Sequence, residues 1–167
     1  MRKLINYSFF VLFAASIIIY SCGSDTVTNT NTTTTPATLY TRLGGYTAID
    51  TVTAVFINNV VADNSINAFF QGVVNDSTGT RYRLLRQNLV QLICVSSGGP
   101  CIYLGKDMRT AHSGMNLTVN HFNSLVNDLV AAMTTLGVAQ TEQNDLLAKL
   151  GPLCHDIVAN GNGTGCP

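Results

Sequence analysis

Three histidines are the side chains of this sequence best suited to bind a metal ion, and their settings differ. His112 lies in the stretch "KDMRTAHSGMNLTVNHF" (residues 106–122), directly before a Ser-Gly pair. A neutral imidazole at such a break can bind a transition metal, or it can cap a helix C-terminus and interact with the helix dipole. Spacing alone favours the structural role. His121 is expected at the start of a helix, at or near the surface, and His155 at the solvated end of another.

No other arrangement of reactive side chains suggests catalysis. The sequence has no convincing Ser-His-Asp spacing, no HExxH motif and no phosphate-binding loop, so a hydrolase would lack its nucleophile. Lys and Arg together number 9, as do Asp and Glu, and the formal net charge is zero. Because nucleic-acid binding depends on clustered positive charge, this composition argues against a nucleic-acid partner.

Five cysteines are present, and Cys22 stands apart from the others in an N-terminal segment of different composition. Cys94 and Cys101 are close in sequence, as are Cys154 and Cys166. Outside the cytoplasm these four can form two disulfides, for which three connectivities exist. We favour the two local pairs, because each would close a short loop around a glycine-rich turn. The alternative for Cys94 is a buried free thiol on a helix, and the spacing in "CVSSGGPC" is wrong for zinc.

The N-terminus has the pattern of an export signal. Positive residues at its start precede an apolar run, Phe9–Tyr20, which is short for a membrane span. The run leads into "IIYSC" (residues 18–22), which resembles a bacterial lipobox and implies cleavage before Cys22 and lipidation of its thiol. The alternatives are a plain signal peptide cut nearby and an uncleaved anchor.

This pattern divides the chain into three parts. We expect a signal peptide over residues 1–21, a lipidated cysteine with a Thr/Asn-rich tether over residues 22–38, and a folded domain over residues 39–167. A segment so poor in apolar residues cannot bury surface, which is why residues 22–38 are interpreted as a tether. The domain would be held by its lipid at the cell envelope, on the periplasmic face or the cell surface.

From Leu39 onward the spacing of apolar residues predicts helices and no convincing strand pair. Repeats of three and four mark four substantial helical faces. They are Ile49, Val52, Phe56 and Val60; Leu85, Leu89, Leu92 and Ile93; Phe122, Leu125, Val126, Leu129, Val130 and Met133; and Leu146, Leu150, Leu153 and Ile157. Thr118 is the expected N-cap of the third helix. The segment from Pro100 to Leu117 is long for a connector, and such segments are usually functional.

The order of these features resembles that of the truncated globins, and their first group most closely. The resemblance covers nearly the whole folded part. Its segments are "LYTRLGGYTAID" (39–50), "NAFF" (67–70), "ICVSSGGPCIYLGKDMRTAHSGMNLT" (93–118) and "LGPLCHDIV" (150–158). It implies an all-α, two-over-two helical sandwich that holds haem b (iron protoporphyrin IX). The iron would be bound by His112, which falls in the family's "AH.G" segment, here taken to be an irregular loop.

The resemblance also implies the walls of a haem pocket. Phe70, the second of the Phe-Phe pair, matches a phenylalanine that stacks on haem in that family. Arg109 would pair with a haem propionate or simply be solvated. The remaining wall residues would be apolar and equally suited to an ordinary core: Val55, Phe56, Ile93, Met108, Leu117, Phe122, Leu125 and Val126.

The ligand-facing positions depart from the family's pattern. Many members carry a tyrosine and a glutamine there, whereas the aligned residues in this chain are apolar: Ile57, Leu85 and Leu89. Gln87 would face sideways unless the helix register shifts, although Arg86 and Tyr82 could swing inward. A pocket without a hydrogen-bond donor gives dioxygen no electrostatic stabilisation, so weak dioxygen retention or quick oxidation of the iron is expected. Carbon monoxide, which is less polar, should be less affected.

The function that follows from the resemblance is reversible binding of a diatomic gas, dioxygen or nitric oxide, at the haem iron. One alternative is a haem-dependent nitric oxide dioxygenase or a weak peroxidase. The dioxygenase would need an electron-donating reductase as a partner, because the chain has no flavin or nicotinamide motif. Another alternative is a haem-free helical interaction module that kept the fold.

Overall fold

The protein was analysed as a computed structural model that describes residues 36–158 and 165–166. In chain order these residues form α1 Leu39–Arg42, α2 Gly45–Ala62, a 3₁₀ turn Asn67–Phe70, α3 Gln71–Val74, α4 Thr80–Ser96, α5 Met108–His112, α6 Val119–Thr135, α7 Gln140–Leu150, a 3₁₀ turn Gly151–Leu153 and α8 Cys154–Ile157. The predicted signal peptide, Cys22 and nearly all of the tether lie outside the described residues. Within the described ranges there is no strand, and no helix is both long and apolar enough to span a bilayer.

Four long helices form the frame, with α2 and α4 as one pair and α6 and α7 as the other. Helix α2 packs against both α4 and α6, and α7 packs against the same two helices. Each contributes apolar side chains, spaced by three or four, to one core: Ile49, Val52, Phe56 and Val60 from α2, Val90 and Ile93 from α4, Leu129, Ala132 and Met133 from α6, and Leu146 from α7. The predicted all-α, two-over-two sandwich is confirmed.

The segment between Pro100 and Leu117 is partly helical. His112 is the last residue of the short helix α5, so the prediction of an irregular loop around it is wrong. The cause is an N-cap that the sequence analysis did not consider: the Asp107 side chain accepts a hydrogen bond from the Thr110 backbone N–H at 2.9 Å. The Thr118 cap of α6 is confirmed, with its hydroxyl accepting from the His121 N–H at 3.3 Å.

An ion pair with α2 holds the rotational setting of α4. The Arg86 guanidinium donates two hydrogen bonds to the Asp50 carboxylate, at 2.8 and 2.7 Å. Such a two-point contact restricts roll of one helix against the other, because both hydrogen bonds must be kept. With Arg86 directed at α2, Val90 and Ile93 face the core, and the side of α4 that carries Leu85 and Leu89 faces α5.

Two disulfides join neighbouring elements. Cys94, near the end of α4, is bonded to Cys101, with 5.9 Å between their Cα atoms. Cys154, at the start of α8, is bonded to Cys166, with a Cα–Cα distance of 5.8 Å. These are the two local pairs favoured from the sequence, and α4 is thereby linked to the segment that leads into α5.

Candidate functional site

The cleft between α4, α5 and α6 holds a cavity with two adjoining lobes. Their volumes are about 480 Å³ and about 300 Å³, a size range in which small-molecule sites commonly fall. Seven residues line both lobes, so they form one slot: Leu89, Leu92, Met108, His112, Phe122, Leu125 and Ile157. Apart from His112 these shared residues are apolar. The slot is therefore suited to a large, mainly hydrophobic group that meets one imidazole.

His112 lines this slot, and its hydrogen bond leaves one ring nitrogen with a free electron pair. Its Nδ1 atom lies 2.7 Å from the backbone oxygen of Met108, one turn earlier on α5. Because a carbonyl oxygen only accepts, Nδ1 of the neutral ring carries the proton and Nε2 carries the lone pair. Metal-binding histidines are usually oriented in this way, by donation from the other ring nitrogen to a backbone oxygen or carboxylate.

His121 also reaches the cavity, which the sequence analysis did not anticipate. It lines the second lobe, and its ring meets that of Phe69 edge-on, with 4.9 Å between centroids. Its Nδ1 accepts a hydrogen bond from the Thr118 backbone N–H at 3.2 Å, which places the proton of the neutral ring on Nε2. The two imidazoles thus have opposite tautomers, and only His112 offers a lone pair on Nε2.

Most of the predicted pocket residues line the cavity. Ile93 faces the larger lobe, while Phe70, Leu85 and Leu117 face the smaller one, and the shared wall contains four more of the predicted residues: Leu89, Met108, Phe122 and Leu125. Further walls, absent from the predicted set, come from α7 and the 3₁₀ turn after it: Leu147, Ala148, Leu150, Gly151, Pro152 and Leu153. Their amphipathic spacing was visible in the sequence, but nothing in it distinguished pocket from core.

Three of the predicted residues take other places. Val55, predicted as a pocket wall, lines neither lobe and packs against the hydrophobic core instead. Ile57 is buried, with 2% of its surface exposed, but it lines neither lobe, and its neighbour Phe56 does. The prediction that Ile57 faces the pocket is therefore wrong, since one residue along a helix turns a side chain by about 100°. Arg109 points away from the slot, and its guanidinium pairs with Asp156 at 2.7 Å. That ion pair joins α5 to α8.

The α4 wall of the cavity carries one amide that the sequence analysis overlooked. Asn88 lines the smaller lobe together with Leu85 and Leu89. Of the polar residues considered from the sequence, Gln87 is exposed, Arg86 is engaged by Asp50, and Tyr82 lines neither lobe. Asn88 has no side-chain hydrogen bond among those formed within the described residues, so its N–H groups are available to a molecule in the cavity.

Tyr103 supplies a hydroxyl at the edge of the smaller lobe. Burial, followed by the nearby Asp107 carboxylate, raises the pKa of the phenol above its usual value, so the group stays protonated. The hydroxyl donates to the backbone oxygen of Lys106 at 2.9 Å. Tyr103 therefore closes the slot without presenting a charge to it.

The single histidine of the slot suits a metal ion whose other ligands come mainly from a cofactor. No cluster of three or more His, Cys, Asp or Glu side chains suitable for a metal ion occurs among the described residues. A single imidazole can hold the iron of a porphyrin, because four ligands come from the macrocycle. The apolar slot around His112 matches the hydrophobic faces of such a group.

Comparison with known proteins gives a consistent picture. The sequence model of the family described as bacterial-like globin matches residues 38–159. A group 1 truncated haemoglobin of Mycolicibacterium paratuberculosis is 31% identical over 128 residues, covering 77% of this chain and 89% of that protein. A second, from Tetrahymena pyriformis, is 33% identical over 110 residues, covering 66% of this chain and 85% of that protein.

Solved structures agree in fold. The Fe(III) form of the Tetrahymena pyriformis truncated haemoglobin superposes with a TM-score of 0.66 at 29% identity, over 73% of this chain and 98% of that one. The 2/2 haemoglobin of Synechococcus sp. with covalently attached haem gives a TM-score of 0.65 at 27% identity, with the same coverage of 73% and 98%.

Proposed function

Because the chain belongs to the bacterial-like globin family, as a truncated haemoglobin with haem as its cofactor, we propose that it reversibly binds a diatomic gas, dioxygen or nitric oxide, at an iron held by His112. The observation that carries this proposal is the tautomer of His112. Its Nδ1 donates to the Met108 oxygen, and His112 lines an apolar slot of sufficient size.

Haem, held by His112 and the apolar walls, would supply an iron atom that can bind a small gas. Residues of this chain would hold its apolar faces, among them Phe70 from one side of the slot and Phe122 and Leu125 from α6. The walls carry few polar groups, and such an apolar environment strengthens any hydrogen bond formed inside it.

The wall opposite His112 determines how firmly the gas is held. Leu85 and Leu89 offer only apolar contact, as the alignment of positions predicted. Asn88, on the same face of α4, adds an amide donor, and in our proposal it donates a hydrogen bond to bound dioxygen. We therefore expect moderate dioxygen retention, in place of the weak retention expected for a pocket without a hydrogen-bond donor.

The alternative activities receive less support. A peroxidase needs a polar acid/base pair opposite the histidine, and α4 places one amide and two leucines there. A nitric oxide dioxygenase would still require an electron-donating reductase, and that partner stays a prediction from the sequence.

Absorption spectroscopy of the purified protein tests the proposal, with His121 as a matched control. The wild type should show a haem Soret band that moves when carbon monoxide is added to the ferrous form. The His112→Ala variant should lose this band or recover it only with added imidazole, whereas His121→Ala should keep it. Equal spectra for the two variants, or no haem in the wild type, would contradict the assignment of His112.

Export and anchoring belong to the same proposal and rest on the sequence pattern around Cys22. The mature protein begins at Cys22, carries lipid on that thiol, and is held at the cell envelope with the domain of residues 39–167 outside the cytoplasm. Two disulfides outside the N-terminal segment suit that compartment. Mass spectrometry of the N-terminal peptide should show a lipid-modified cysteine. An unmodified peptide that begins elsewhere would rule out lipidation.

A further inference from the structure

The short segment between the first disulfide and α5 exposes two large aliphatic side chains. Ile102 and Leu104 are each 74% exposed, the largest values among the exposed hydrophobic residues of the described chain. Tyr103, between them, turns the other way and lines the cavity. Val95, 43% exposed, lies near the end of α4, close to the disulfide. We call residues 102–104, with these two outward side chains, the aliphatic loop.

The aliphatic loop is held in this conformation by its own contacts. The preceding residue, Cys101, is bonded to Cys94 of α4, and the Leu104 N–H donates to the Gln91 side-chain oxygen at 3.1 Å. Gly105 allows the Tyr103 ring to lie close, because a Cβ atom at Gly105 would be only 2.3 Å from the phenol oxygen. A loop so fixed cannot fold its two aliphatic side chains inward, and an apolar surface kept exposed in this way usually marks an interaction site.

The N-terminal segment enters the domain beside this loop. The Tyr40 N–H donates to the Ser97 backbone oxygen at 2.8 Å, and the Thr38 side chain lies 3.7 Å from where a Cβ of Gly98 would be. These residues are at the end of α4 that also carries the disulfide to Cys101. Thr38 and Tyr40 thus lie at the end of α4 that the disulfide joins to the aliphatic loop.

We propose that the aliphatic loop inserts Ile102 and Leu104 into the surface of the lipid bilayer to which the N-terminus attaches the domain. This inference rests on the proposed anchoring at Cys22. Few residues, 22–38, separate the proposed lipid from the start of α1, and so short a connection keeps the loop near the lipid. Attachment raises its effective concentration, and two aliphatic side chains then suffice where they would be too weak alone.

The surroundings of the loop suit lipid better than a protein partner. From Val95 to Lys106 the sequence contains no acidic residue, and Lys106 is exposed at the flank, where it can meet lipid phosphate. Asp107, which follows, has its carboxylate engaged by the backbone of Thr110. Two outward side chains do not make a protein interface, which needs a total buried area of about 1,000 Å² or more.

Single tryptophan variants test the inference directly, because the natural chain contains no tryptophan. The full chain would be reconstituted in vesicles of phosphatidylcholine and phosphatidylglycerol, with and without bromine on the acyl chains. The Leu104→Trp variant should show blue-shifted emission and loss of emission in brominated vesicles. Leu84→Trp is the matched control, since Leu84 is also exposed, at 56%, but lies near the opposite end of α4. Comparing brominated with plain vesicles cancels any quenching by haem.

The possible outcomes test docking of the loop separately from lipid anchoring and from haem binding. Vesicle flotation without bromine quenching at position 104, or equal quenching at both positions, overturns the docking inference alone. Failure to float overturns the anchoring and the docking together, while an intact Soret band would leave gas binding standing. A blue shift that needs no vesicles and grows with protein concentration would assign the loop to contacts between copies of this chain and also overturn the inference. Unchanged circular dichroism is expected for both variants because both side chains are exposed.

Discussion

Replacing Asn88 with leucine removes the amide that α4 contributes to the smaller lobe, which His112 also lines. The two side chains have the same number of non-hydrogen atoms, and leucine is the better helix former, so α4 should be kept. Asn88 is only partly buried and has no side-chain hydrogen bond within the described residues. The substitution therefore leaves no protein group without its partner. Its effect falls on whatever molecule occupies the cavity.

The expected change in the rate of dioxygen release follows from the loss of one hydrogen bond. An amide that donates to bound dioxygen contributes about 1 kcal/mol, so Asn88→Leu should speed dioxygen release about fivefold. Carbon monoxide accepts hydrogen bonds weakly, and its release should change much less. Its stretching frequency should nevertheless rise, because a positive dipole near the oxygen has been removed.

Stopped-flow displacement of dioxygen and infrared spectra of the carbon monoxide form would measure both effects. Gln87→Leu is the matched control, since Gln87 is the adjacent amide on α4 and faces solvent. If Asn88→Leu and Gln87→Leu give the same release rate and stretching frequency as the wild type, Asn88 does not contact the gas. The pocket would then be as apolar as the aligned positions predicted.

Two further predictions concern stability and haem retention. Combining Cys94→Ala with Cys101→Ala removes the first disulfide. This should lower the free energy of unfolding by about 2.4 kcal/mol, because the bond closes a seven-residue loop in the unfolded chain. If urea unfolds this variant and the oxidised wild type equally, the bond is not formed. Asp107→Ala should speed transfer of haem to apomyoglobin at neutral pH, because the α5 cap is lost. Hydrogen bonds from Thr110 hold the pKa of Asp107 below its usual value, so its stabilisation is present above the ordinary pKa and lost as the pH falls through the lowered one. The two transfer rates should therefore converge in acid, and Asp107→Asn, which keeps the cap, should show the smaller defect at neutral pH.

Much of the helical frame was predictable, because each long helix shows a regular spacing of apolar residues along the sequence. The spacing of Ile49, Val52, Phe56 and Val60 requires a helix with one apolar face, and α2 is that helix. The same holds for Thr118, whose role as an N-cap depends only on the residues that follow it. The family resemblance added the architecture that periodicity alone cannot supply.

The site was predictable only in part, because side-chain direction depends on contacts between distant residues. Ile57 aligned with a ligand-facing position, yet the packing of α2 gives that wall to Phe56. Arg109 looked free to meet a propionate, but Asp156 lies 47 residues away in the sequence and beside it in space. Asn88 lies between the aligned positions Leu85 and Leu89, and nothing in the sequence alone shows that its amide reaches the cavity.

The contact between Arg86 and Asp50 lies outside the cavity, yet it joins α4 to α2 in the setting that gives the wall its residues. Helical geometry turns the face of α4 by about 100° for each residue of displacement. A register in which residue 85 met Asp50 would present Leu84, Gln87, Asn88 and Gln91 to the slot, adding two amides where leucines now stand. The rotational setting of α4, which the buried residues Val90 and Ile93 also hold, therefore decides how many amides the wall presents, without any change in the sequence of the helix.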